Sequence, residues 1–214
     1  MTRFAGFTLL VAFVLLAACS HTRTVVVPVP PRVDLHGYSN IGIVEFDTNA
    51  ERSINTRATR QFQEQIQSAQ PGTRFIELGE RQALLASLGA RQLDAPALRK
   101  IGQRYGVAAV FLGDIAYSEP RVDVKISDIA RMEGGVRAEL RGDLSARLFE
   151  TASGASVWSS SSWARRQLGA VSVSEQGISG GVKHANPREE MVPDVVRWLT
   201  QDFRPTTMRQ KVSK

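Results

Sequence analysis

The sequence predicts an α/β fold: a single domain with a mixed sheet, β-α-β-α-α-β in its first half, antiparallel hairpins in its second half and a C-terminal helix. Three observations predict it. Between residues 40 and 112 short apolar runs alternate with segments of helical periodicity. From Val136 the period changes to two, and an amphipathic segment closes the chain before Phe203.

Ile41 to Phe46 is a short, β-branched, mostly apolar run and reads as a buried strand. From Glu51 to Ala69 the residues Ile54, Ala58, Phe62, Ile66 and Ala69 recur at helical spacing, so one face packs and the other is wet. Pro71-Gly72 breaks this helix, and Arg74 to Leu78 reads as a second strand. Glu80 to Leu88 is a short helix stopped at Gly89. Asp94 and Pro96 start the next helix, which carries Leu98, Ile101 and Tyr105 and ends at Gly106. Val107 to Leu112 is continuously apolar, as a strand covered on both faces must be.

Val122 to Ile126 is the next strand. From Val136 to Leu148 apolar residues alternate with charged and polar ones, which gives a long strand with one dry face. Thr151 to Gly154 supplies a turn, and Val157 to Arg165 returns as its hairpin partner. Asn186-Pro187 opens the last helix, running to about Phe203 with Met191, Val195, Trp198 and Leu199 on one face. Pro193 leaves a start near Val192 open as well.

The amino terminus has a different character. Arg3 gives a basic start, Phe7 to Leu16 an apolar stretch too short to span a bilayer, and small residues precede the single cysteine, Cys19. This reads as a signal peptide over residues 1–18. An uncleaved anchor with a buried Cys19 is the competing reading. With one cysteine the domain must be stable without internal disulfides, so hydrophobic packing carries it.

Residues 19–39, with Val25 to Pro31 at their centre, read as an extended Pro/Val-rich tether. The valines could also lie as an edge strand. Residues 40–204 form the domain, and residues 205–214 read as a basic, disordered tail. The formal net charge of +6 suggests nucleic acid only until it is placed along the chain. Arg3 leaves with the signal peptide, and Arg204, Arg209, Lys211 and Lys214 follow Phe203 with no acid among them. The body is near neutral. No nucleic-acid partner is expected, and the tail suits anionic lipid, cell-wall carboxylates or an acidic partner.

Catalysis finds little support. The only histidines are His21, His36 and His184, with no spacing for a metal pair or a nucleophile-base dyad, so no catalytic residue, metal or soluble cofactor is expected. Gly177 to Lys183 lacks the ending of a phosphate loop and reads as a mobile loop. Asp47, Glu77 and Asp114 fall at the carboxyl ends of the first three strands, where parallel sheets bind ligands, although exposed strand-end carboxylates are the commoner outcome. Trp158 and Trp163 are candidate partner contacts, since tryptophan is enriched at binding hot spots; otherwise they complete a core.

Two resemblances add to this reading. Leu16-Ala17-Ala18-Cys19 resembles the lipobox of bacterial lipoproteins. It implies that Leu16, Ala17 and Ala18 form the signal-peptidase recognition site and that Cys19 carries an N-acyl diacylglyceryl group, palmitate being a typical chain. Ser20, in place of aspartate, implies sorting to the periplasmic face of the outer membrane. Further on, Phe75 to Gln82, Gly106 to Ile115 and Leu148 to Ser159 resemble, in order and spacing, the CsgG, LpoB and TolB amino-terminal-like superfamily. The resemblance spans roughly residues 40 to 204.

It implies a non-catalytic binding and assembly module of the cell envelope, anchored to the membrane by lipid, with unknown envelope protein partners and scope for a homo-oligomer. The alternative is an accessory or activator subunit of a cell-wall synthase, transporter or secretion complex. The curli secretion proteins of this group resemble pore-forming oligomers built from two amphipathic hairpins per subunit. Here Ser127 to Gly135 reads as too short for such a hairpin, at about 9 to 11 residues per membrane strand, and Gln167 to Ala185 as lacking apolar alternation. A pore is therefore disfavoured at this stage.

Overall fold

The computed structural model describes residues 22–128, 133–174, 177–182 and 186–213. They divide into two compact units, one of the two chain ends and one spanning Arg32–Arg204. In the first unit, β1 (Thr22–Val29) pairs antiparallel with β10 (Thr206–Ser213) as a two-stranded ribbon. The valines therefore lie in an edge strand, the alternative the sequence leaves open beside a tether, and residues 206–213 are its partner strand where a disordered tail is expected. The β-branched run of β1 finds its complement in residues almost two hundred positions away, a pairing invisible to local pattern. Pro28 is tolerated because both strands are edges, where a missing N–H costs no ladder bond.

The second unit begins before residue 40. Leu35 is fully buried, and Gln70, itself buried, ties this entry segment down: its Oε1 accepts from Leu35 N (2.8 Å) and its Nε2 donates to Val33 O (2.6 Å) and Phe203 O (3.0 Å). The first half then follows the sequence reading closely. β2 (Ile41–Ile43), β3 (Asp47–Thr48), α1 (Arg52–Ala69), β4 (Phe75–Glu77), α2 (Arg81–Leu88), α3 (Ala95–Tyr105) and β5 (Ala109–Tyr117) come in order. β2 lies parallel between β4 and β5, and β3 extends the parallel pairing to β5. Asp94 caps α3 by accepting from Ala97 N at 2.9 Å, and Gly106 ends it in the left-handed region that glycine adopts without steric cost.

β6 (Arg121–Asp128), β7 (Glu133–Glu150), β8 (Ser156–Ser174) and β9 (Gly177–Val182) follow, then α4 (Pro187–Leu199) and a 3-10 turn over Thr200–Phe203. The helix starts at Pro187 and runs through Pro193. The larger sheet has the order β4-β2-β5-β7-β8-β9, with β6 also paired to β7. It is mixed, as predicted: parallel at the β2 end and antiparallel from β5 to β9.

One face of this sheet packs against α1 and α4 through Phe46, Phe62, Phe111, Leu144, Leu148, Val195 and Phe203, with the aromatic rings meeting edge-on or tilted. The other face, at the β4-β2-β5 end, is covered by α2 and α3 through Leu84, Leu98, Ile101 and Val110. Burial of this order, at ~25 cal/mol per Å² of apolar surface, is what holds a domain without disulfides.

β7 and β8 depart furthest from expectation. They have 18 and 19 residues, far longer than a typical strand. Only 142–150 of β7 pairs with β5; its earlier residues pair with β6 instead. Beyond the helices, β6, β7, β8 and β9 therefore form a four-stranded antiparallel arm. The mobile loop expected over Gly177 to Lys183 is strand β9 through Val182. Gly180 makes that strand possible: its φ is +143°, and a Cβ there would collide with the Ala170 carbonyl oxygen.

Candidate functional site

Within the arm, Val124 lies directly opposite Val136, Val136 opposite Val171, and Val171 opposite Gly180. Alternation then places Val122, Ile126, Ala138 and Ile178 on the same face. That face carries no charge at any of these positions. It is also uncovered: Val124 is 64 %, Ile126 70 % and Ile178 78 % exposed. The opposite face is polar and internally matched, with Arg121 opposite Glu139 and Asp123 opposite Arg137. Opposite charges across a strand pair favour this hairpin, which helps it form without the helices beneath it.

The sequence reading missed this because of one residue. The β7–β8 register passes from Glu139↔Gln167 to Ala138↔Gly169, leaving Leu168 as a β-bulge. Below it even-numbered residues of β8 face the core, as Trp158 and Ser162 do; above it odd-numbered Val171 continues the same face. Period two holds from Trp158 to Arg166 and again from Gly169, and its phase changes between them; a second shift, at Val157, lies at the start of the strand. A search for alternation with one allowed slip would have found it.

Trp158, a candidate partner contact, is in the core. It is 7 % exposed, its ring lies 4.7 Å from that of Phe203 and 5.9 Å from that of Phe111, and its Nε1 donates to Asp202 at 3.1 Å. Trp163 is on the outer face, 54 % exposed, with the guanidinium groups of Arg141 and Arg165 each 5.1 Å from its ring centre. It remains available to a partner.

Of the three strand-end carboxylates, the fold brings two together. Asp47 and Asp114 are register neighbours, and Arg81 spans them, 3.0 Å from each, while also donating to Gly113 O. One of their two charges is thus balanced from within the fold. Glu77 stands apart, lining an open hollow of about 150 Å³ together with Glu45 and Arg60.

His36 sits 2.7 Å from Asp34, and this hydrogen bond raises its pKa above the ordinary value; both groups are exposed. Tyr117 donates to Arg188 O, and burial pushes its hydroxyl up to about 12. Among the described residues no cluster of His, Cys, Asp and Glu is placed to hold a metal. Leu16, Ala17, Ala18, Cys19, Ser20, His21 and His184 lie outside the described residues. Among those described, no helix is long and apolar enough to cross a membrane.

No protein-family model matches the chain, and no curated protein sequence does. Several solved structures are similar in fold. The PelC dodecamer from Paraburkholderia phytofirmans has 14 % identity, covering 86 % of this chain and 98 % of that one, at a TM-score of 0.39. Lipoprotein GNA1162 from Neisseria meningitidis has 16 % identity over 75 % of this chain and 97 % of that one, at 0.36. The LpoB C-terminal domain from Salmonella enterica has 12 % identity over 58 % of this chain and 82 % of that one, at 0.35.

Proposed function

We propose that this chain is a non-catalytic assembly module of the bacterial envelope, lipid-anchored through Cys19 at the periplasmic face of the outer membrane, whose arm enters the bilayer as part of a homo-oligomer. The observation that carries this is the uncovered, charge-free face of the arm. An apolar sheet face of this extent on a water-soluble monomer is unstable against association. β7 and β8 carry this face past the helices, while the outer strands β6 and β9, with 8 and 6 residues, are shorter than the about 9 to 11 residues of a tilted membrane strand and reach only part of the way across an apolar band of roughly 25 Å.

A single arm cannot enter hydrocarbon alone, because the outward backbone groups of β6 and β9 would be left unsatisfied. Pairing with neighbouring copies closes those edges. The arm answers one of the two grounds against a pore, the missing apolar alternation; its outer strands, of 8 and 6 residues, stay below the about 9 to 11 of a membrane strand. The accessory-subunit reading draws on a different feature, the half-exposed Trp163 between two arginines, which suits a protein partner.

The test is planar-bilayer recording with the full chain purified in detergent. The native chain is expected to give discrete conductance steps, and Val124→Glu with Ile126→Glu to abolish them while leaving far-UV circular dichroism unchanged. Electrically silent native protein at all concentrations, with the arm protected only when an envelope protein is added, would favour the accessory reading instead.

A further inference from the structure

A second surface, distinct from the arm's apolar face, is the edge of β8 below the bulge. β9 begins to pair β8 only at Gly169, so among the described residues no strand pairs the outer edge of Ser156–Arg166. Natural sheets blunt an edge of this length with lysine, proline, a bulge or a covering loop. From Ser156 to Ala164 this one has neither lysine nor proline; a bulge at Val157 interrupts it near its start, and beyond that stand four small residues, Ser159 to Ser162.

Large apolar side chains flank the same edge on both faces of the sheet. On the outer face are Trp163, 54 % exposed, and Val157, 49 % exposed. On the helical face is Trp198, 58 % exposed. Trp198 follows Asp194 by four residues along α4, on one ridge of the helix. Asp194 accepts from Arg166 of β8 at 2.8 Å, so that ridge is on the side of α4 within an arginine's reach of β8.

We infer that this edge pairs with the same edge of a second copy, antiparallel about a two-fold axis at Ser161. This register uses the regular stretch of the edge, from Trp158 on the far side of the bulge at Val157 to Ala164. It sets Ser159 opposite Trp163 of the second copy, Ser160 opposite Ser162, and Trp158 opposite Ala164. No charge meets its like, and each tryptophan faces a small residue. The other edge of the domain's sheet, β4, offers only three residues, so head-to-tail pairing would leave most of the β8 edge open. An isologous contact is the one the lengths allow. The joined sheet brings the α4 helices of the two copies to the same face across the axis, where the Trp198 side chains are covered.

The test is the mass of the full chain in detergent, by light scattering and analytical ultracentrifugation. Ser161 is exposed, so Ser161→Lys and Ser161→Glu alter the axis without touching the core. Each variant alone sets two like charges against each other and is expected to weaken the contact by up to about fivefold, so that near the native dissociation constant the particle mass shifts toward half. An equal mixture of the two restores it. A native mass equal to that of the Ser161→Lys variant, or a mixture that stays at the single-variant mass, overturns the inference. The Val124→Glu and Ile126→Glu variant, which removes bilayer insertion, is expected to retain this contact, so the two readings fail separately.

Discussion

At the scale of single residues, position parity on a strand decides role. Trp158 and Trp163 have the same chemistry, stand five residues apart on β8 and end on opposite faces. Trp158 fills the space between Phe111 and Phe203 and places its one donor on Asp202, so nothing of it is wasted. Trp158→Ala is expected to cost about 3 to 5 kcal/mol in urea unfolding, from lost transfer energy and the cavity left behind. Trp163→Ala is expected to change stability by less than ~1 kcal/mol, since its ring is half in water already. Similar losses for both would show that the burial pattern is wrong. Arg81 makes the same point with charge: reaching over from α2, it bridges two carboxylates that the sequence places only at separate strand ends.

At the scale of elements, the readable parts of the chain were those whose neighbours in sequence are their neighbours in space. α1, α2 and α3 with their caps, and the strands between them, are specified by helical spacing, by Asp94 and by Gly89 and Gly106. β8 was legible only as far as Arg165, because Leu168 interrupts the alternation there. β9 was illegible for a related reason: a strand rich in glycine looks like a loop until its partner is known.

Gly180 tests that explanation. Gly180→Ala forces a Cβ against Ala170 O and is expected to detach β9. Amide exchange over Gly177 to Val182 should then lose its protection while the amides of β5 keep theirs. Unchanged protection in β9 would mean that the strand is held by something other than close backbone pairing.

At the scale of the whole molecule, two apolar systems coexist. One is the helix-covered core, which stabilises the fold. The other is the face of the arm, continuous with the core face along β7 from Leu144 and Leu140 to Val136, yet without a helix over it. An interior that continues into an uncovered surface is a design for association, and the lipid anchor proposed at Cys19 would hold that surface beside its solvent. The anchor predicts a mass: the mature chain from the envelope should begin at Cys19 with three acyl chains, and Cys19→Ser should retain its leader. An unacylated mature chain in mass spectrometry would remove the membrane from this account.

The sequence alone determined the mixed α/β architecture, the order of strands and helices in its first half and the lipobox-like segment, because each of these is written in spacings of a few residues. Tertiary structure alone decided the ribbon of the two chain ends, the bridging of Asp47 and Asp114, the side on which each tryptophan falls and the arm itself. Those features depend on register between distant strands, and a single bulge or a glycine-rich partner is enough to hide a register from any pattern read along one chain.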